Sequence, residues 1–216
     1  KFDCAYFDYY PYLLKNVRIE KMKYKKVLEV GLGYGTLGQK IAETGADYIG
    51  LDIAEGPVFL MNHRLKMNNL SGKAIKGNVL KCPFESESFD FVVSIGCFHH
   101  TGSVQQCINE TYRVLKPGGT AYIMLYNRYS FRQWMHWPKE TFKYFLYEIG
   151  LLKNEPTVSE EQREIYDPNS DGEGAPETVF LSKRDLRVIF KDFSIVKYKK
   201  ENIDNCFFGI PRRYLI

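Results

Sequence analysis

Several things are missing from the sequence, and each absence excludes something. No run of about 18 apolar residues occurs, so no helical membrane span is expected. The five cysteines, Cys4, Cys82, Cys97, Cys107 and Cys206, are an odd number with no CxxC pair. That spacing supports neither a disulfide framework nor a zinc knuckle and fits a reducing cytoplasm. Charge of one sign is scarce too, since 30 basic residues stand against 26 acidic ones. Only 21–26 and 197–200 are locally basic, and a solvated face explains both, so no nucleic-acid partner is expected. The opening residues are aromatic and acidic, which is not the pattern of a signal peptide. The chain also lacks an initial Met, so a longer, trimmed parent is expected. Repeats and low-complexity tracts are absent.

What is present is a rhythm. Residues 26–30 (KVLEV) form a short apolar run ending at glycine, as a buried parallel strand does. The pattern predicts a helix over 36–44, strands at 48–51 and 74–76 with a helix between them, and a strong strand over 89–95. A helix over 104–115 then stops at Lys116-Pro117-Gly118-Gly119, before a fifth strand at 120–126. Alternation at this spacing predicts an α/β fold: a Rossmann-like, mostly parallel, seven-stranded sheet flanked by helices. Right-handed crossovers bring the C-terminal ends of its strands to one ligand-binding edge.

The rhythm breaks over 127–181. Residues 129–149 read as one helix crowded with aromatics, and 154–177 as a loop rich in Pro and Gly. A helix at 183–191 and a strand at 193–199 come next. One domain is expected over 1–216: a cap segment (1–25), a cofactor-binding core (26–126), an insertion or lid on the substrate side (127–181), and a final helix with strands (182–216).

The central motif is Glu29-Val30-Gly31-Leu32-Gly33-Tyr34-Gly35. Glycines after a strand let the backbone turn tightly and approach a ligand closely. The overlapping run Gly33-Tyr34-Gly35-Thr36-Leu37-Gly38 also satisfies GxGxxG, which admits a nicotinamide dinucleotide. Two details favour S-adenosylmethionine instead. Counting from Gly31, the third glycine of a dinucleotide fingerprint is replaced by Thr36. Glu29 would also repel a pyrophosphate, whereas it suits a cationic aminoacyl group. Asp52, ending the second strand, is either a ribose acceptor or the cap of the next helix.

Together with these residues, Gly77-Asn78-Val79, Cys82-Pro83-Phe84, the 88–94 run SFDFVVS, Phe98-His99-His100-Thr101 and Leu115-Lys116-Pro117-Gly118-Gly119 resemble the ordered motifs of class I methyltransferases. The nearest likeness is to the small-molecule branch that includes quinone-biosynthesis enzymes, over about residues 26–126. The resemblance implies that Gly31, Gly33, Gly35, Glu29 and Asp52 hold S-adenosylmethionine. It also implies that Asn78 and Val79 meet the adenine, Ile53 packs on its ring, and Ile95 lines the methionine arm. S-adenosylhomocysteine would be the product.

For the acceptor side, His99 is the first choice as base or orienting group, with His100 beside it; both can instead be structural. Tyr6 and Tyr10 either orient a substrate or staple the N-terminus to the core. Asn127 and Arg128 end the fifth strand, where Arg128 is either a clamp for an anionic acceptor or a salt-bridge partner. Arg212 and Arg213 carry the same two readings. No metal set is evident. The expected activity is methyl transfer to O, N or C of an aromatic, anionic or sugar-bearing metabolite by a cytoplasmic monomer or homodimer. The rivals are an RNA methyltransferase, a non-catalytic S-adenosylmethionine-binding subunit, and an NAD-dependent oxidoreductase.

Overall fold

The computed structural model describes residues 2–166, 177–201, 206–207 and 210–211. The chain forms two compact units, Lys1–Leu125 and Tyr126–Ile216.

The first unit is built on five strands: β1 (Lys26–Val30), β2 (Asp47–Asp52), β3 (Lys73–Lys76), β4 (Phe89–Ile95) and β5 (Leu115–Met124). They lie in the order β3-β2-β1-β4-β5, and every pairing is parallel. Helices α1 (Phe2–Tyr9), α2 (Leu13–Val17), α3 (Thr36–Glu43), α4 (Glu55–Met67) and α5 (Val104–Val114) complete the unit. The order reverses across β1 and β4, and in an open parallel sheet that switch point is where a crevice for a ligand forms.

Strand β1 occupies the middle because four of its five residues are buried, which needs neighbours on both faces. Helix α3 buries Leu37, Ile41 and Ala42 at helical spacing on the sheet. On the N-terminal segment, Asp3 accepts from the Thr36 hydroxyl at 2.7 Å and from Arg64 at 2.9 and 3.0 Å. Arg64 also donates to Gln39 at 2.8 Å, so α1, α3 and α4 share one polar clasp. The Arg64 guanidinium holds the Asp3 carboxyl below its ordinary pKa.

The second unit contains α6 (Phe131–His136), α7 (Pro138–Glu148), α8 (Glu160–Tyr166), α9 (Lys183–Ile189) and the antiparallel two-residue strands β6 (Cys206–Phe207) and β7 (Ile210–Pro211). None of the described helices is long and apolar enough to cross a membrane.

The structure corrects five expectations. Among the described residues the parallel sheet has five strands, not seven. Residues 193–199 form no strand: Ile195 is 76% exposed, and an alternating apolar pattern does not by itself fix extended backbone. The aromatic stretch is two helices rather than one, because Pro138 begins a new helix after Trp137, whose φ of −133° is not helical. A helix, α8, lies within the stretch read as loop. At the Pro-Gly-Gly turn β5 already begins at Leu115, and residues between Leu115 and Thr120 are absorbed as an irregularity in its pairing with β4. Part of the expected loop (167–176) and part of the final segment (202–205, 208–209 and 212–216, with Arg212 and Arg213) lie outside the described residues.

Candidate functional site

A cavity of about 190 Å³ opens beside the carboxyl ends of β1, β2 and β4. Its floor is Val30 and Gly31, one wall is Asp52 and Ile53, another is Asn78, Val79 and Leu80, and Cys97, His100 and Thr101 close it. The glycines explain why the backbone comes this close. Gly31 has φ of +80°, and a Cβ there would overlap Cys97, so both the conformation and the space require glycine. Gly33 has φ of +50° with nothing within 4 Å of where a Cβ would stand, leaving its backbone facing open space. Gly35, also left-handed at +73°, is the N-cap of α3.

Asp52 ties the glycine loop to the start of α4. One carboxylate oxygen accepts from Leu32 N–H at 2.8 Å, and the other from Ala54 N–H at 2.9 Å. Ala54, rather than Asp52, is the N-cap of α4. The aspartate therefore reaches the backbone two residues on as a local turn and keeps lone pairs for further donors. Ile53 is 67% exposed, an apolar face presented at the cavity rim. The Asn78 carbonyl accepts from Leu80 N–H at 2.9 Å and caps the short 3₁₀ turn Val79–Lys81 that forms the second wall.

Glu29 is not in that wall. It is buried on β1, and its Oε2 accepts from the Tyr48 hydroxyl at 2.5 Å. Burial raises its pKa to about 8; the Tyr48 bond works in the opposite direction, and Asp52 adds to the rise. Ile95 ends β4 and packs, half-buried, against the hydrophobic core.

The two histidines part company. Both lie in the 3₁₀ turn Phe98–His100 with ring centroids 4.1 Å apart. His99, the first choice from sequence, is fully buried and does not line the cavity, whereas His100 does. Tyr6 and Tyr10 also pack on the core, with ring centroids 5.1 Å apart, and neither lines the cavity. Burial raises the Tyr6 phenol pKa, and the carboxyl of Glu29 adds to that rise.

In the second unit, Asn127 forms an isolated parallel bridge with Leu181, and its side chain accepts from Tyr129 N–H at 3.1 Å. Arg128 is 3% exposed. Its guanidinium donates to the Phe180 carbonyl at 3.1 Å, pairs with Glu148 at 2.9 Å, Asp185 at 3.1 Å and Glu155 at 2.5 Å, and sits over the Tyr144 ring. Those partners correspond to the salt-bridge reading of this residue.

The sequence reading missed Cys97, Thr101, Leu80 and Tyr48. Cys97 and Thr101 flank the two histidines, so the turn itself could have marked them. Tyr48 gave no signal, because a tyrosine in a buried strand reads as core.

Residues 28–123 match the family described as "Methyltransferase domain". Among curated relatives, a sterol 24-C-methyltransferase of Schizosaccharomyces pombe is 36% identical over 97 residues, covering 44% of this chain and 26% of the relative. A ubiquinone biosynthesis O-methyltransferase of Bartonella tribocorum is 29% identical over 163 residues, covering 68% of this chain and 66% of the relative. The chain thus spans about a quarter of the first relative and just under two thirds of the second. A solved SAM-dependent methyltransferase from Methanosarcina mazei shares the fold with a TM-score of 0.61 at 20% identity, covering 85% of this chain and 83% of the other. The residues that match this methyltransferase-domain family carry nearly all of the five-stranded parallel sheet, the left-handed glycines at its switch point and the acid at the end of β2.

Proposed function

We propose that the protein transfers the methyl group of S-adenosylmethionine to an O, N or C atom of a small-molecule acceptor. The observation that carries this reading is the cavity at the switch point, where bare backbone, a carboxylate and an apolar rim meet within one small volume. The residues present fit the cofactor. Open space in front of Gly33 admits a ligand against the backbone, and Asp52 retains acceptor capacity for the two ribose hydroxyls. Ile53 offers an apolar surface to a flat ring, and Asn78 with Val79 borders the place for the adenine. Glu29, just before the glycine loop on β1, is the candidate partner for the aminoacyl ammonium once it ionises, and Ile95, at the end of β4, is the candidate for the methionine arm.

The bound cofactor supplies an electrophilic methyl on a sulfonium. The chain's own task is to hold an acceptor in line behind that methyl, with a lone pair available. Of the histidine pair, His100 is the better candidate to take or orient an acceptor proton, because it borders the cavity. His99 then acts from the core, against the His100 ring. Tyr6 remains an acceptor-side candidate through its proximity to Glu29. Arg128 we assign to holding its own unit together, since three carboxylates already engage it.

Two of the relatives carry sterol and ubiquinone in their names, and demethylmenaquinone methyltransferases of Tropheryma whipplei are also similar to this chain. These favour a lipid-soluble ring system over RNA as the class of acceptor. The residues from 127 to 181 fit a substrate-side element, by their content of aromatics.

The test is to incubate the purified chain with labelled S-adenosylmethionine and a panel of phenolic, quinol and sterol acceptors, with RNA as a further arm. Formation of S-adenosylhomocysteine with one of the small molecules supports the reading. Cofactor binding without turnover on any arm favours a non-catalytic subunit, and turnover only on RNA replaces the acceptor class.

A further inference from the structure

Beneath the glycine loop lies a group of four residues that the cavity does not account for. Parallel pairing sets Val27 opposite Tyr48 and Glu29 opposite Gly50, so these four residues share one face of the sheet. Gly50 has no side chain, and a Cβ there would stand 2.9 Å from the Tyr48 hydroxyl and 2.8 Å from Leu32. The tyrosine therefore extends past Gly50 toward Glu29. From the helix side, α3 presents Gly38, where a Cβ would overlap both the Tyr48 hydroxyl and Glu29 Oε2. Two glycines, one on the strand and one on the helix, clear the volume in which the Tyr48–Glu29 hydrogen bond is made. Gly38 is the final glycine of the GxGxxG coincidence, and its need here is the space for this pair.

Such a clearing has a cost. A glycine inside a helix destabilises it relative to alanine, and a carboxyl buried with a single hydroxyl donor is a poor source of stability. The pair sits directly under the loop that would carry the cofactor's aminoacyl end. Resting on the methyltransferase reading, we propose that Tyr48 is a positioning residue for cofactor binding: it fixes the Glu29 carboxyl under the glycine loop, where that carboxyl ionises as the cationic aminoacyl group of S-adenosylmethionine arrives.

Three titratable groups bear on Glu29. Tyr48 on β2 donates to it, Asp52 at the end of β2 opposes its ionisation, and Tyr6 on α1 lies near enough for Glu29 to raise its phenol pKa. On the β4 side its register partner is the uncharged Val93, and from α3 Gly38 packs against it. With a carboxyl pKa of about 8 in the free chain, a ligand that needs the ionised form must release a proton on binding at neutral pH. Affinity for S-adenosylmethionine then rises as pH increases from 6 toward 8, for as long as the ligand's own amine stays protonated. Removing the tyrosine hydroxyl takes away a donor that favours the carboxylate, so the rise moves to higher pH.

The experiment is calorimetric titration of the full chain, of Tyr48→Phe and of Glu29→Gln, from pH 6 to pH 8.5. The probes are S-adenosylmethionine and 5′-methylthioadenosine, which has the adenosine but no aminoacyl end. Expected for the unaltered chain is a pH-dependent affinity for S-adenosylmethionine with proton release, and a pH-independent affinity for methylthioadenosine. Tyr48→Phe should weaken S-adenosylmethionine about tenfold at pH 7, shift its profile upward, and leave methylthioadenosine unchanged. Glu29→Gln should abolish the pH dependence. Equal weakening of both probes by Tyr48→Phe would reduce the tyrosine to a packing role and overturn the proposal. An unchanged profile in either variant, or no proton release by the unaltered chain, also overturns it. If the unaltered chain binds neither probe, the cofactor reading itself is wrong and the proposal falls with it; binding of methylthioadenosine separates the two failures. Because the unaltered chain alone reports proton release, a variant that fails to fold does not rescue the idea.

Discussion

The two units treat charge in opposite ways. In residues 1–125 the carboxylate of Asp52 stands where a strand ends, spends one bond per oxygen on nearby backbone, and borders a cavity. In residues 126–216 the guanidinium of Arg128 also comes just after a strand end, yet it is buried and engaged by Glu148, Glu155, Asp185 and a carbonyl. In the sequence the two look alike: a charged residue just after an apolar run. What separates them is supply. Asp52 meets backbone N–H donors, which leave acceptor capacity for a ligand, while Arg128 is surrounded by acids from three later segments that use its donors.

The largest effect that would sharpen this contrast is the loss of Arg128. Arg128→Ala leaves Glu148 and Asp185 partly buried without their cation, which is expected to destabilise the second unit by about 3–5 kcal/mol. Hydrogen exchange should report that loss in 126–216, with S-adenosylhomocysteine affinity retained; an intact second unit would mean the pairing is incidental. Asp52→Asn comes next, with an expected loss of about 3 kcal/mol in S-adenosylhomocysteine affinity, roughly a hundredfold, and a small change in melting temperature. If melting falls steeply and affinity persists, Asp52 is scaffold after all and the comparison collapses.

A smaller effect concerns the histidines. His100→Ala is expected to lower turnover by about a hundredfold with cofactor affinity unchanged, and His99→Ala to lower thermal stability first. The reverse pattern would return the acceptor role to His99. The smallest effect is on stability against pH. The folded-state pKa of Glu29, about 8, lies above its ordinary 4.5. The folded chain therefore holds an extra proton between those values, and stability falls as pH rises through that window. Between pH 6 and pH 9 the unaltered chain should lose on the order of 5 °C more in melting temperature than Glu29→Gln does. Parallel melting curves would show that Glu29 is ionised throughout.

The core was legible because its signals are local. A run such as 26–30 can hardly be anything but a buried strand, and Gly31 declares its turn by having no side chain. The order of motifs supplied the rest of 26–126. Beyond it, decisive facts are long-range. Whether residues 193–199 form a strand depends on a neighbour that no local pattern encodes. His99 and His100 are identical in type and adjacent, so only the direction of a 3₁₀ turn decides which borders the cavity. The break at Trp137 was within reach, since Pro138 marks it, but the aromatic periodicity ran across it. Tyr48 and Gly38 show the opposite case: each looks ordinary alone, and only packing reveals that one makes room for the other.

What occupies the open space against Gly33 decides the function of the domain. Titrating the chain separately with S-adenosylhomocysteine and with NAD, each in the unaltered form and in Gly33→Val, tests it directly. Saturable heat from S-adenosylhomocysteine alone, abolished by the valine in a chain that still folds, is the expected result. Heat from NAD and none from S-adenosylhomocysteine would contradict it.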